Sequence, residues 1–393
     1  MKKVLSFAAV IILILTVYFC FFDENEPQGV STDAVREQIE SREDVYPVYK
    51  NLSAEDKELY IKICAAVQSF ANNVPGIYEC DSISKMNQYI NRLSNIYREI
   101  IYEQATLFWV DPYNFQTQIT QRGNGTYYLT IQPVYLMDQQ TAETMQVKFD
   151  RKIRNIVNEA ARQENTFETV RYVHDQLLKN CVYDQAAYEA GDFKSTSINA
   201  YGCLVEGKAI CSGYTMAFSA IMQELGYECG AEFNSYDSFT IFNEGHVWNY
   251  CKLDGDYYYF DLTWNDNSPG SDLYKYYDYC YTYFGLTTQE LTNAHLTLSG
   301  KANTPSCNGT KYNYFVYNGL SFAAYEEEAV KQALLKQKDG KYAALRFDSY
   351  AETLRAQREL ITNGKIFDIF PNLERIEYYI SQSDLVLYIL FSQ

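Results

Sequence analysis

The stretch GKAICSGYTMAFSAIMQELGYEC (residues 207–229) sets a cysteine, Cys211, where a glycine-marked turn gives way to a helix. Tyr214, Ala217, Phe218, Ile221 and Leu225 recur at helical spacing, and Gly226 stands where a left-handed C-terminal cap belongs. The first N–H groups of a helix have no partner within it, so they favour a thiolate and can hold a developing oxyanion. Taken alone, Cys211 reads more readily as a buried small apolar side chain, the common role of a free cysteine. A base and a group to orient that base would reverse the balance.

Both stand downstream. EGHVWNYCKLDGDYYYFDLTWND (residues 244–266) reads as two strands joined at Asp254-Gly255, a strong hairpin signal. With 254 and 255 as the loop, residue numbers summing to 509 face each other, so His246 is expected opposite Thr263 and Trp248 opposite Asp261. His246 and Asp261 then share one face as diagonal neighbours about 7–8 Å apart at the backbone, within reach of an imidazole and a carboxylate. A carboxylate on one ring nitrogen fixes the tautomer and leaves the other nitrogen for a thiol. Each residue alone has a bland reading, a half-buried histidine and a strand-end aspartate; the ordered set of three is harder to explain without chemistry.

The stretch 200–266 resembles the transglutaminase-like superfamily in its extracytoplasmic bacterial versions. Their segments AYGxLVxGKAxCxGY, GHxWN and DxTW stand here as AYGCLVEGKAICSGY, GHVWN and DLTW. VHDQLLKNCVYD (residues 173–184) is similar to the helix-to-strand entry of such domains. The resemblance covers about 165–285; the flanks match only in general layout. It implies an α+β, papain-like cysteine-protease-type transglutaminase core, with Cys211 as nucleophile, His246 as general base and acid, and Asp261 as its orienting partner. Cys203 and the Asn265-Asp266 ending depart from the commonest forms.

Other chemistry is sparse. The chain has three histidines; His174 sits among Val170, Val173, Leu177 and Leu178 and reads as structural, and His295 lies in a polar stretch. With no C-x-x-C pair and scattered histidines, neither a metal nor a cofactor is expected. The run YKYYDYCYTYF (residues 274–284) fits a twisted strand as well as an aromatic platform for a peptide or sugar.

The elements that must position these residues follow from periodicity. Lys2 and Lys3 precede Val4 to Phe22, which carry no charge, and Asp23, Glu24 and Glu26 follow. That run is long enough to span a bilayer, with its basic flank inside. It reads as an uncleaved anchor for an extracytoplasmic body; lipidation at Cys20 and a cleaved signal are the alternatives, although Phe19 is large for a lipoprotein box. Outside the cell, nine cysteines beyond Cys20 leave at least one unpaired within the chain.

The chain of 393 residues is expected to hold two or three domains. Residues 23–50 read as a tether, and 51–164 as a helical domain with a β-hairpin, whose helices start at Ser53 and near Ile83 and whose strands cover 115–121 and 127–136. Residues 165–290 form the transglutaminase-like domain. Residues 305–393 form a small C-terminal α+β module: strand 312–317, helix 326–337, strand 342–347, helix 349–363, and strands near 375–380 and 385–391. A net charge of −17 excludes a nucleic-acid partner. Two functions remain. One is a cysteine acyltransferase, amidase or peptidase acting on a protein or peptide amide, cell-wall peptides among the candidates. The other is a non-catalytic domain that binds peptide or cell-wall material as an envelope scaffold; a free Cys211 would favour the first.

Overall fold

The computed structural model describes residues 31–191, 194–234, 245–267, 279–293, 304–340 and 342–391. The expected anchor, Cys20 and His295 lie outside them, and no helix among the described residues is long and apolar enough to cross a membrane.

The first difference from the sequence reading comes at once. Residues expected to be tether instead form α1 (Thr32–Glu40) and α2 (Pro47–Asn51), packed on α3 (Ala54–Gln68). Val35 and Ile39 bury completely, Tyr49 meets Tyr60 edge to face at 5.0 Å, and Arg36 forks onto both oxygens of Glu58 at 2.8 and 2.7 Å. The apolar positions are only two per short helix, and a turn before Pro47 interrupts them. No period long enough to reveal a helix accumulates.

Strand β1 (Val74–Cys80), which the periodicity also hid, follows, then α4 (Ile83–Glu103) and the expected hairpin β2 (Val110–Gln121) and β3 (Tyr127–Tyr135). The sheet order is β1-β3-β2, all antiparallel, with Thr117 opposite Ile131 and Tyr78 opposite Leu129. Gly76 breaks the strand pattern of β1; its φ of 69° sits at a register shift.

At the end of α4, Glu103 is 2 % exposed and accepts the N–H groups of Val48 (2.6 Å) and Tyr49 (3.0 Å) and the hydroxyl of Tyr60 (2.8 Å). It therefore caps the first turn of α2 from a distant part of the chain. Burial pushes its pKa up to about 8 against those three hydrogen bonds, which pull it down. Because the folded value lies above that of the unfolded chain, the group stabilises most below about pH 4.5. Its contribution is lost as pH rises through 8. Glu103→Gln is expected to cost about 1–3 kcal/mol by setting an amide N–H against a backbone N–H. The stability difference between wild type and variant, from urea unfolding at pH 5 and pH 9, should shrink as pH rises; a difference that stays flat would remove this assignment.

Helices α5 (Gln139–Ala160) and α6 (Thr166–Asn180) lead to a two-stranded parallel pair, β4 (Val182–Tyr183) and β5 (Lys208–Ala209), with α7 (Gln185–Ala190) between them. Next comes α8 (Cys211–Glu224), buried along its whole length to Gln223. It lies against an antiparallel sheet in the order β6 (Cys229–Phe233), β7 (Val247–Leu253), β8 (Asp256–Phe260), β9 (Phe284–Leu286), with the short helix α9 (Leu262–Asn265) after β8. A helix beneath an antiparallel sheet gives this region the expected α+β core. One buried cluster runs from Val35 to Tyr312 with no break at 164/165, so the N-terminal helices and this core bury their apolar faces on each other.

After α10 (Thr288–Asn293), the C-terminal module has its own core around Leu345, Leu360 and Ile389. Its elements are α11 (Tyr314–Tyr317), β10 (Ser321–Phe322), α12 (Glu327–Lys336), β11 (Tyr342–Phe347), α13 (Tyr350–Gln357), α14 (Lys365–Ile369), β12 (Ile376–Ser381) and β13 (Val386–Phe391), with sheet order β10-β11-β13-β12. The strand expected at 312–317 is instead α11. Asn313 Oδ1 accepts the N–H groups of Phe315 and Val316, and that cap turns a β-prone run of aromatics into a helical turn.

Candidate functional site

Cys211 is the first residue of α8, behind Ile210 in an extended conformation, and it is a free thiol, 2 % exposed. The helix start is seated closely. A Cβ on Gly213 would fall 2.6 Å from Ser197 O and 2.8 Å from Ala209 Cβ, so only glycine lets the first turn approach that segment.

Asp254 and Gly255 both have positive φ, 51° and 101°, the two-residue hairpin turn whose twist suits antiparallel strands. The register follows from it: Asn249 faces Phe260 and Tyr250 faces Tyr259, each pair summing to 509. Two hydrogen-bond sets then lock this hairpin onto α8. Thr215 Oγ1 donates to Val247 O (3.1 Å), and Asn249 Nδ2 donates to Thr215 O (3.0 Å) and Ser219 Oγ (2.8 Å). The strand that follows His246 is thereby clamped to the helix that begins with Cys211.

The pairing of His246 with Thr263 does not form. Strand β8 ends at Phe260, and Asp261 caps α9, its Oδ1 accepting Trp264 N–H at 3.1 Å. An aspartate ahead of a helix-compatible run competes with the ladder for the backbone. The other oxygen keeps the predicted partner: His246 Nε2 lies 2.6 Å from Asp261 Oδ2. Asp261 is 1 % exposed, and its own N–H donates to Tyr283 O at 3.0 Å.

Nε2 is therefore committed to Asp261, and Nδ1 is left for Cys211, the other hydrogen-bonding neighbour of the ring. Burial alone would keep His246 neutral. The Asp261 carboxylate and the Cys211 sulfur outweigh burial and push its pKa up to about 10. At neutral pH the ring is an imidazolium, the counter-charge that a thiolate needs. Trp264 stacks on one side of it (5.3 Å between centroids, 17°), and Trp248 lies 5.7 Å away at 30°. Asn234 Oδ1 accepts His246 N–H at 2.6 Å and fixes the backbone there. The arrangement can deliver a thiolate, a proton donor and a proton acceptor to one carbonyl carbon.

His174 stands apart from the reacting atoms but braces them. It is wholly buried; Asn265 Nδ2 donates to its Nε2 at 3.0 Å, which leaves Nδ1 to donate to Asp175 Oδ1 at 3.1 Å. Asn265 Oδ1 in turn accepts Tyr283 N–H at 2.8 Å, holding the end of the helix that Asp261 caps. Residues 274–278 of the tyrosine run lie outside the described residues. Of the rest, Tyr281 stacks on His174 at 5.1 Å and Tyr283 meets Trp264 edge to face at 5.1 Å.

Three tyrosines influenced by Cys211 escaped the sequence analysis. Burial pushes the hydroxyl pKa values of Tyr102, Tyr113 and Tyr183 up, and Cys211 adds to each shift. Among 38 tyrosines none carries a local mark of this role. Among the described residues, no group of three or more His, Cys, Asp or Glu is arranged to hold a metal ion.

The family model of the transglutaminase-like superfamily matches residues 154–262, a stretch that contains Cys211, His246 and Asp261. Those residues form a transglutaminase-like domain within the chain. The chain also overlaps two solved structures at a distance. One is a TGase, 11 % identical with a TM-score of 0.26, covering 56 % of this chain and 61 % of its own. The other is a candidate cysteine protease from Cytophaga hutchinsonii, 14 % identical with a TM-score of 0.24, covering 39 % of this chain and 63 % of its own. This chain thus spans less than two thirds of either, and neither overlap is close enough to inform the chemistry. No curated protein matches the chain.

Proposed function

We propose that the protein is a cysteine acyl-transfer enzyme of the cell exterior, held to the membrane by residues 4–22 and acting on a protein or peptide amide. Cys211 attacks the carbonyl carbon, and the oxygen takes up the electron pair. As the intermediate collapses, the C–N bond breaks and His246 gives its proton to the leaving amine. The resulting thioester is resolved by an amine or by water, His246 now taking the proton of the attacking group, and Cys211 is restored. The observation that carries this reading is the line Asp261 Oδ2, His246 Nε2 at 2.6 Å, and a free Cys211 on the remaining ring nitrogen. The scaffold reading is less well supported, because a disulfide from Cys211 to Cys203 would have favoured it and both thiols are free.

The test is trapping. The ectodomain incubated with cell-wall peptides should carry an acyl adduct on Cys211, and a separate sample without peptide, treated with iodoacetamide at neutral pH, should alkylate at Cys211 well before its other cysteines. Cys211→Ala should lose both signals. Equal, slow alkylation of all nine thiols and no adduct would defeat the proposal.

A further inference from the structure

Strands β6 and β7 set one cysteine directly opposite another. Their register runs from Cys229 facing Cys251 to Phe233 facing Val247 without a shift. Just beyond its two ends, Lys252 N–H donates to Glu228 O (2.8 Å) and Asn234 N–H to His246 O (3.1 Å). In an antiparallel ladder, hydrogen-bonded rungs alternate with unbonded ones. Rungs 228/252 and 234/246 are bonded, so rung 229/251 is unbonded. Such a rung brings its Cα atoms to about 4.5 Å and its side chains closest together. A disulfide joins Cα atoms about 4.4–6.8 Å apart, so this rung fits one. Among the described strands, no other rung sets cysteine against cysteine. The two thiols share the sheet face that packs on α8. Asn249, two residues before Cys251 and on the same face, holds Ser219, whose Oγ lies 3.8 Å from Cys229 Sγ. Both cysteines are wholly buried, and both are thiols in this structure.

We infer that Cys229 and Cys251 are a disulfide site, closed as the chain folds in an oxidising compartment. The inference rests on the exterior location in the reading above, because that location supplies the oxidant, a small or protein disulfide. One cysteine thiolate attacks a sulfur of that disulfide and releases a thiol; the other attacks the mixed disulfide and releases the second. One S–S bond is thus made and one broken, and the oxidant leaves as two thiols carrying the two protons. Burial then shields the new bond from reductants. The bond ties β6 to β7, whose far rung, Asn234 with His246, holds the backbone of His246. It also removes freedom from the unfolded chain, which stabilises the fold.

The test starts from the full ectodomain, unfolded, reduced and refolded in a mixture of reduced and oxidised glutathione. After an acid quench, the remaining thiols are blocked with N-ethylmaleimide in denaturant. Cleavage after Glu232 and Glu244 puts the two cysteines on separate peptides. Mass spectrometry should find the peptide of Cys229 linked to that of Cys251. The thermal midpoint should lie about 5 °C above that of the same chain refolded in reductant. Cys251→Ala should show neither the link nor the difference in midpoint. Maleimide on both cysteines, Cys251 linked elsewhere, or a linked form no more stable than the reduced one would each overturn the inference. Acylation of Cys211 by p-nitrophenyl acetate, with loss of p-nitrophenolate, is read on the chain refolded in reductant and then freed of it. Its absence would end the acyl-transfer reading and leave the pair standing. A link that forms in the refolded ectodomain, but not in protein from acid-quenched cells, would end the exterior location and leave the site standing.

Discussion

Asp261→Asn is expected to slow acylation of Cys211 by about 10²–10⁴-fold in a protein that still folds. Oδ1 of asparagine can keep the cap on Trp264 N–H, as Asp261 does at 3.1 Å, so α9 need not unwind. The atom now facing His246 Nε2, 2.6 Å away in the native site, becomes an amide N–H donor. To accept that bond the ring must move its proton to Nδ1, the nitrogen that serves Cys211. A neutral ring protonated there cannot take the thiol proton, and the carboxylate that held it as imidazolium is gone. The measurement is the p-nitrophenyl acetate acylation rate at neutral pH, with unfolding midpoints of both proteins as a control. A loss of less than threefold would mean that Asp261 orients nothing that matters to the reaction.

The charge on His246 leads to the second large effect. Its pKa is pushed up to about 10 in the folded protein, against an ordinary value of 6.5. The folded state therefore holds a proton that the unfolded chain releases near pH 6.5. The resulting stabilisation is complete below that value, shrinks as pH rises, and is gone above about 10. With a shift of this size it amounts to a few kcal/mol. A histidine NMR titration should find the ring of His246 still protonated at pH 8. In Asp261→Asn the same ring should titrate well below the native value, and the variant should lose less stability than the parent between pH 7 and pH 10. A native His246 that titrates near 6.5 would remove the imidazolium from the mechanism. The two predictions are linked, because one carboxylate both aims the ring and charges it.

The hairpin arithmetic brought His246 to Asp261 because each step was local. Asp254-Gly255 takes positive φ at both positions, and a two-residue turn admits a single register, so Asn249 had to face Phe260. The same arithmetic failed at Thr263, where a side-chain cap from Asp261 overrode the ladder after Phe260. His246 and Asp261 still met, since the diagonal contact needs only the last ordered rung of the hairpin. Asn249 stood in the GHVWN motif, but its clamp on Thr215 and Ser219 became visible only with α8 in place.

Residues 32–51 and β1 were hidden for the opposite reason. Their burial depends on what lies across from them: Val35 and Ile39 on α3, Val74 opposite Ile131, and the first turn of α2 on the carboxylate of Glu103. None of these partners is near in sequence.

By itself, then, the sequence determined the order Cys211, His246, Asp261, the turn that aligns the last two, and the helix that begins at the first. Turn chemistry, capping and a period of two or 3.6 act over a few residues and can be read as written. Only the tertiary structure decided that Asp261 and Cys211 push the pKa of His246 up, that Glu103 caps a helix whose first turn lies 55 residues before it, and that Tyr102 and Tyr113 pair their hydroxyls. Charge state and hydroxyl placement depend on burial and on neighbours brought together by folding, and a linear pattern carries neither.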